Sequence, residues 1–165
     1  TGDLCIVLSK AGMQPISMDV SFGMLSADRS GSPRVQTDIL RLPVPDASVD
    51  GVMCGFAVRN LLDLPTFFDE LGRVVKPCGR IALLDVSVPK NRVVGWGNGI
   101  YFGKIVPKIG AALSDGPAYA YLPKSVAYLP EPEVMLEALG AAGFHDATHD
   151  QLSGGLTQLM VGTRS

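Results

Sequence analysis

The sequence predicts an α/β fold in which a mostly parallel sheet carries helices on both faces and ends in an antiparallel last strand. Strand-like and helix-like patterns alternate along most of the 165 residues, which is typical of such sheets. Two early strand patterns end at or just before an aspartate, Asp19 and Asp38, where parallel sheets bind ligands. Ser153-Gly154-Gly155 separates the last two strand patterns and indicates a hairpin.

The first half of the chain alternates short helices with strands. Asp3 favours the amino end of the first helix because it carries negative charge there. Pro43, Pro45 and Asp46 indicate a loop before a long apolar strand. The predicted elements are helix Asp3–Lys10, buried strand Pro15–Val20, helix Phe22–Ala27, strand Arg34–Thr37 and strand Val49–Val58.

The second half begins with the clearest helix. Asp63-Leu64-Pro65 combines an N-cap acid with an early proline. One apolar face follows at helical spacing, and we expect Pro77 and Gly79 to end the helix. That face comprises Phe67, Leu71, Val74 and Val75. The later predicted elements are strand Ile81–Val88, a helix from Glu131 to near Gly143, and strands Phe144–Leu152 and Leu156–Thr163.

A long segment, Arg92–Tyr128, interrupts the alternation. It contains six aromatic residues, including all four tyrosines of the chain, and has a slight excess of lysine over acid. Long insertions in compact domains are usually functional. We therefore predict an insertion at about 92–128 that covers an apolar aromatic substrate, with Tyr101, Tyr121 and Tyr128 in contact with it. The alternative is a helical hairpin that only packs on the sheet.

Composition indicates one globular domain. Apolar residues make up 47% of the chain, and the net charge is −2, which argues against a nucleic-acid partner. No apolar run approaches the roughly 20 residues of a membrane helix, and no signal-peptide pattern is seen at the start. The cysteines at 5, 54 and 78 are too far apart for a zinc motif. These features predict a cytoplasmic protein without a metal site.

Several candidates for cofactor binding fall at strand and helix ends. Asp19 could accept two hydrogen bonds from a ribose diol, and Asp38 could accept one from an adenine amino group. Thr1 and Gly2 precede a helix whose free N–H groups favour a carboxylate, and Gly55 would let a ligand approach the backbone. Each aspartate could instead simply cap a helix, and a nicotinamide dehydrogenase would also use an acid at Asp19.

In their order, these motifs resemble those of the ubiquinone/menaquinone biosynthesis C-methyltransferase family, class I enzymes that use S-adenosylmethionine. Thr1-Gly2-Asp3-Leu4 is similar to the end of the family's glycine motif, G-x-G-T-G-D-L. The other similar stretches are Asp19-Val20-Ser21 with Gly23-Met24-Leu25, Asp38 to Asp50, Phe56 to Asn60, Arg73 to Gly79, Asp85 to Ser87, Val106 to Gly110 and Tyr119 to Ser125. The resemblance therefore covers essentially the whole chain.

The resemblance implies a Rossmann-like class I methyltransferase sheet whose first strand precedes residue 1. A chain without that strand is expected to be unstable by itself. The implied reaction is C-methylation of a quinol ring in menaquinone or ubiquinone biosynthesis. Arg59 would stabilise the phenolate and Asn60 would orient it; alternatively, Arg59 braces its loop through carbonyl groups. The implied contacts with S-adenosylmethionine are Thr1, Gly2, Asp19, Val20, Asp38, Ile39 and Gly55.

Departures from the family pattern leave the exact substrate open. They are Gly55, Cys78, Asp85 and Met160, at positions where the family usually has serine, glycine, glutamate and histidine. The alternatives are methylation of another small phenolic metabolite, or a methyltransferase-like protein that binds without turnover. His145 and His149 lie at the last helix–strand junction, and we expect them to be exposed and structural. Lys104 and Lys108 could favour loose contact with a membrane surface.

Overall fold

A computed structural model describes residues 1–87 and 129–165 of the chain. These residues form four α-helices, six β-strands and two 3-10 turns. The helices are α1 (Asp3–Lys10), α2 (Phe22–Ser26), α3 (Leu64–Val74) and α4 (Pro132–Ala141). The strands are β1 (Ser17–Asp19), β2 (Arg34–Gln36), β3 (Val49–Gly55), β4 (Val75–Val86), β5 (Phe144–Leu152) and β6 (Thr157–Arg164).

The strands form a parallel pair and a mixed four-stranded sheet. β1 pairs with β2 in parallel, and the larger sheet has the order β3-β4-β6-β5. β3 and β4 are parallel, whereas β6 runs antiparallel to both β4 and β5. The predicted α/β class and the antiparallel ending are therefore confirmed. Among the described residues, β1 and β3 each have one hydrogen-bonded neighbour.

α3 supplies one side of the core. Its N-cap Asp63 accepts hydrogen bonds from the backbone N–H (3.1 Å) and hydroxyl (2.7 Å) of Thr66, as the sequence predicted. The buried face of α3 packs against inward residues of β4 and β6 and against α4. The core members that are at most 2% exposed are Val58, Phe67, Phe68, Leu71, Val74, Val75, Ile81, Leu83, Met135, Leu139 and Met160.

β4 begins at Val75, six residues before the predicted start at Ile81. Val75 pairs with Val49, and pairing resumes at Gly51 and Arg80. The residues between bulge out through Pro77 and Cys78, where Cys78 takes a φ of 64°. The helix ends at Val74, so Val75, which was predicted to lie on its apolar face, is instead the first residue of β4 because it pairs with Val49. Pro77 and Gly79 lie within the strand, where the bulge accommodates them.

β3 ends at Gly55, three residues before the predicted Val58. Phe56 adopts a φ of 60°, which takes the chain out of the extended region. Its N–H still donates to the carbonyl of Leu84 (2.7 Å). A 3-10 turn over Val58–Asn60 follows. This turn brings Arg59 next to Asp85, near the end of β4.

Arg73 fastens the loop before β3 to helix α3. Its guanidinium donates to both carboxylate oxygens of Glu70 (2.8 and 2.6 Å) and to the carboxylate of Asp46 (2.6 Å). It also donates to the carbonyls of Leu42 and Val44. Hydrogen bonding to Arg73 lowers the pKa of Glu70 and raises that of Arg73 itself. The loop after Asp38 is thereby held against the core.

Candidate functional site

Asp19 lies at the end of β1 and organises the turn into α2. Its Oδ1 accepts a hydrogen bond from the backbone N–H of Ser21 (2.8 Å), and the Ser21 hydroxyl caps α2 through Met24 N–H (3.3 Å). The Asp19 carbonyl accepts from Thr37 N–H (3.0 Å). Within the described residues, the second carboxylate oxygen makes no hydrogen bond. Asp19 therefore caps a turn and still has an acceptor for a ligand.

Asp38 has the same role just beyond the end of β2. Its Oδ1 accepts from the N–H of Leu40 (2.9 Å), and its side chain is exposed. Ile39 is partly buried against the core, whereas Val20 is 69% exposed. Of the two apolar residues predicted to contact the cofactor, Ile39 is therefore partly buried and Val20 is exposed. Asp19 and Asp38 each use one carboxylate oxygen for a turn, and in the described parts of the chain the other oxygen makes no hydrogen bond.

Gly2 precedes α1 with a φ of 80°, a conformation that glycine adopts without strain. A side chain there would collide with the carboxylate of Asp28, which is 4% exposed. The Thr1 carbonyl accepts from Arg29 N–H (3.2 Å). The backbone N–H and hydroxyl of Ser30 are the main reason that the pKa of Asp28 falls to about 2. An ionised carboxylate therefore lies at the amino end of α1.

Asp28 was not among the site residues predicted from the sequence. The available signal was its spacing from Ser30, because an aspartate commonly accepts from the N–H two residues later. This bond is 2.6 Å long in the structure.

Gly55 closes β3 beneath α1. A Cβ at this position would lie 3.0 Å from a methyl carbon of Leu4, so the helix packs close to the strand end. Burial raises the pKa of the neighbouring Cys54 thiol to about 11, and the charges of Asp85 and Asp19 act in the same direction. Asp19 is therefore near enough to act on the end of β3, and Cys54 stays a protonated thiol.

Arg59 forms a buried ion pair with Asp85, near the end of β4. Arg59 Nη1 lies 2.7 Å from Asp85 Oδ1, and the Arg59 backbone N–H donates to Oδ2 (3.0 Å). The two side chains are 7% and 1% exposed. The alternative prediction was that Arg59 braces its loop through carbonyl groups; in the structure Arg59 braces the loop through the carboxylate of Asp85. Nε of Arg59 is buried and has no partner among residues 1–87 and 129–165.

Asn60 lies beside Arg59 in the same turn. Its backbone N–H donates to the carbonyl of Ala57 (2.9 Å), and its side chain is exposed. In the described parts of the chain the Asn60 side chain makes no hydrogen bond with Arg59. The Asn60 side chain is therefore open to solvent.

The two histidines differ in their surroundings. His145 is exposed, as expected, and its Nδ1 lies 2.9 Å from the Thr163 carbonyl. His149 is half-buried, contrary to the expectation of exposure, and its Nε2 lies 2.8 Å from Gln158 Oε1. Gln158 is opposite Asp85 and donates to the carbonyl of Val86 (2.9 Å). Strand pairing therefore links His149 to the carboxyl end of β4.

The Arg92–Tyr128 insertion lies outside the described residues, as do Tyr101, Tyr121 and Tyr128. In the described ranges, no helix is both long and apolar enough to cross a bilayer. No group of three or more metal-ligand side chains is gathered within those ranges.

Comparison with known proteins identifies one family of methyltransferases by sequence. A model of the ubiE/COQ5 methyltransferase family matches residues 2–164. The chain is 34% identical to a demethylmenaquinone methyltransferase of Deinococcus radiodurans, over 99% of the chain and 72% of that protein. It is 31% identical to a Geobacter sulfurreducens protein named ubiquinone/menaquinone biosynthesis C-methyltransferase UbiE, over 99% of the chain and 69% of that protein.

Solved structures show the same fold at low identity. A SAM-dependent methyltransferase from Archaeoglobus fulgidus superposes with a TM-score of 0.74 at 13% identity, covering 99% of this chain and 81% of that one. The phosphoethanolamine N-methyltransferase 2 of Haemonchus contortus, in complex with S-adenosyl-L-methionine, has a TM-score of 0.69 at 12% identity, covering 98% of this chain and 45% of that one.

Proposed function

The chain belongs to the ubiE/COQ5 methyltransferase family, and from this membership we propose that it transfers a methyl group from S-adenosylmethionine to a ring carbon of a quinol during isoprenoid quinone biosynthesis. One observation carries the proposal: relatives named for demethylmenaquinone methylation match 99% of the chain. A ring carbon of the quinolate forms the new C–C bond, the methyl–sulfur bond breaks, and the ring proton leaves. The net reaction releases one proton.

The described residues fit the cofactor. Asp19 and Asp38 each use one oxygen for a turn, so the other suits a ribose hydroxyl or an adenine amino group. The amino end of α1, at Thr1 and Gly2, provides N–H groups that favour an anionic group, and the cofactor carboxylate would share this end with the ionised carboxylate of Asp28. Gly55 lets Leu4 of α1 pack close over the end of β3, and it would contact the cofactor through its backbone. When bound, S-adenosylmethionine supplies a methyl group on a good leaving group, so the protein mainly has to align it with the ring.

Arg59 is the proposed catalytic residue. A guanidinium beside the ring oxygen would favour the phenolate, whose negative charge activates the ring carbon. The buried Nε of Arg59 supports this role because it is a donor without a partner in the described ranges. Asn60, exposed in the same turn, would orient the ring oxygen. The pairing with Asp85 is compatible with this role because it engages Nη1 and the backbone.

The substrate side of the proposal rests on the sequence of the insertion. Tyr101, Tyr121 and Tyr128 would enclose an apolar aromatic ring, and a prenyl tail would continue the apolar contact. Lys104 and Lys108 would contribute about 1 kcal/mol each near an anionic membrane surface. A peripheral position on the inner face of the membrane would bring the enzyme to a lipid-soluble quinol.

The test is an assay of the purified protein with S-adenosylmethionine and a demethylated naphthoquinol, kept reduced. We expect a product carrying a new ring methyl group, identified by mass spectrometry and by the loss of one aromatic proton signal in NMR. An O-methyl ether or methylation of simple phenols alone would contradict the quinol assignment. Binding of S-adenosylhomocysteine without transfer to any acceptor would indicate a non-catalytic protein.

A further inference from the structure

We infer that Asp85 is a positioning residue for methyl transfer and that it acts through Arg59. The inference rests on the proposed function, in which Arg59 faces the ring oxygen. Asp85 itself is 1% exposed and touches Arg59 and the backbone; no ligand contact is required of it. Its role is to hold one edge of the guanidinium so that another edge faces the reacting ring.

The contacts of Asp85 divide between the backbone and the side chain of the turn. Oδ2 accepts from the Arg59 backbone N–H, and Oδ1 accepts from Nη1 (2.7 Å) and from the N–H of Val86 (2.7 Å). One carboxylate therefore fixes both the start of the Arg59 side chain and its end. A side chain held at both ends has little rotamer freedom left to lose when a substrate binds.

The arrangement leaves a defined edge of the guanidinium unused. Within residues 1–87 and 129–165, neither Nε nor Nη2 of Arg59 makes a hydrogen bond, and Nε is fully buried. In a planar guanidinium these two nitrogens form one donor edge, which suits an oxygen acceptor such as a phenolate. The Phe56 ring, 5.8 Å from the guanidinium carbon, limits the space on one face of the group.

The strand end that carries Asp85 is itself braced from the neighbouring strand. Gln158, 4% exposed, lies opposite Asp85 and donates to the carbonyl of Val86 (2.9 Å). His149 holds the other end of the Gln158 amide (2.8 Å). The position of Asp85 is thus set by strand pairing and by this polar chain. Because Asp85 holds Arg59, the position of the Arg59 guanidinium is fixed by the same contacts.

Asp85→Asn is the main test because asparagine keeps an acceptor for the Arg59 N–H but removes the charge. We expect kcat for the quinol to fall about 10- to 100-fold, the usual consequence of misplacing a catalytic group. S-adenosylhomocysteine affinity should change less than about twofold, because the hydrogen bonds of the Asp85 side chain go to Arg59 and to the backbone of Val86 and to none of the proposed cofactor contacts. Asp85→Glu should recover part of the lost kcat. Asp50→Asn is the matched control, since Asp50 pairs with Lys76 at the exposed amino end of β3 and should change neither quantity.

A purely structural role would give a different result: kcat and S-adenosylhomocysteine affinity would fall together with the folded fraction, or kcat would not change. Either result overturns the inference. If Asp85→Asn does not fold, Arg59→Lys takes its place, because lysine keeps a charge for Asp85 and lacks the Nε–Nη2 edge. The same loss of kcat at unchanged S-adenosylhomocysteine affinity is expected, and a wild-type kcat overturns the inference.

A second readout separates this inference from the proposed function. In the wild-type protein, NMR should show a slowly exchanging Nε–H proton for Arg59, and Asp85→Asn should lose that protection whether or not a quinol is methylated. A protected Nε–H in Asp85→Asn would overturn the inference. An inactive wild-type protein with an Asp85-dependent signal would instead contradict the quinol assignment.

Discussion

At the residue scale, Asp19 shows how one carboxylate serves structure and ligand together. One oxygen holds the turn into α2 through Ser21 N–H, and the other makes no hydrogen bond in the described parts of the chain. Capping and ligand binding were alternatives when only the sequence was considered. They are compatible because a carboxylate has about four acceptor sites, and a single N–H occupies one of them.

Asp19→Ala should weaken the binding of S-adenosylhomocysteine by about 1.5–3 kcal/mol, the typical cost of losing hydrogen bonds to a charged group. Isothermal titration calorimetry measures the change. Asp69→Ala is the control, because Asp69 is exposed on α3 and should leave the affinity unaltered. Undiminished binding by Asp19→Ala, or tight binding of NAD by the wild-type protein, would contradict the assignment of the ribose contact.

Cys78 occupies a backbone position that favours glycine. Its φ is 64°, and it follows Pro77, as the third residue of a type II turn does. Cys78→Gly should therefore stabilise the protein by about 0.5–1 kcal/mol, since a residue with a Cβ is strained at this φ. Urea unfolding measures the gain. Cys78→Ala keeps the strain and should show no gain, so equal stabilisation by both changes would argue against the backbone explanation.

At the element scale, Arg73 joins α3 to the loop that leads from Asp38 to β3. It reaches Glu70 and Asp46 and two loop carbonyls, all within 3.1 Å. Arg73→Ala should lower the free energy of unfolding by about 2–3 kcal/mol, because Glu70 is then left with a buried, poorly paired charge. Lys76→Ala should cost less than about 1 kcal/mol, since its partner Asp50 is exposed.

Chemical denaturation of both variants provides the comparison. The expected order is wild type, then Lys76→Ala, then Arg73→Ala. Equal losses for the two substitutions would show that Arg73 contributes only as a surface charge and that the loop is held by its apolar contacts instead.

At the scale of the whole molecule, the apolar core is unevenly distributed. The core cluster draws its fully buried members from residues 58 onward, whereas residues 1–38 contribute only Cys5 and Leu25 as buried apolar side chains. β1 and β2 are three residues long and pair only with each other in the described structure. Local opening costs least where few apolar contacts would be lost.

Hydrogen exchange should reveal this difference. Amides of β1 and β2 should exchange much faster than those of β4 and β6, which have paired neighbours on both sides. S-adenosylhomocysteine should slow exchange in β1 and β2 because Asp19 and Asp38 would then be ligated. Equal protection of β1 and β4 in the free protein would contradict the prediction, as would a single cooperative melt at high temperature.

Acid should destabilise the fold over a defined range. Arg73 lowers the pKa of Glu70, Thr66 lowers that of Asp63, and Ser30 lowers that of Asp28 to about 2. Carboxyl groups with lowered folded-state pKa values stabilise the protein fully above their unfolded pKa and lose that contribution as pH falls. Unfolding temperature should therefore decline between about pH 5 and pH 2, and Glu70→Gln should flatten the decline. A constant unfolding temperature across this range would contradict the pKa directions.

Local patterns along the chain were enough to predict the order of most elements and the family resemblance. Apolar spacing at Phe67, Leu71 and Val74 and the Asp63 cap are local features, so α3 was predictable from neighbours along the chain. The strand-end position of Asp19 followed from the same local patterns. The bounds of the strands were predicted less accurately. β4 begins at Val75 because this residue pairs with Val49 of the neighbouring strand, and β3 ends at Gly55 because the next residue, Phe56, has a positive φ.

The contacts between side chains at the candidate site could not be predicted from local patterns and depend on the folded chain. The Arg59–Asp85 pair joins residues 26 positions apart, and Gln158 reaches Val86 across 72 positions. Asp28 approaches Gly2 because α1 and the end of α2 are folded together. Such contacts depend on strand order and register, which no local pattern encodes, because hydrogen-bonded pairing between distant segments is set by the packing of the whole core.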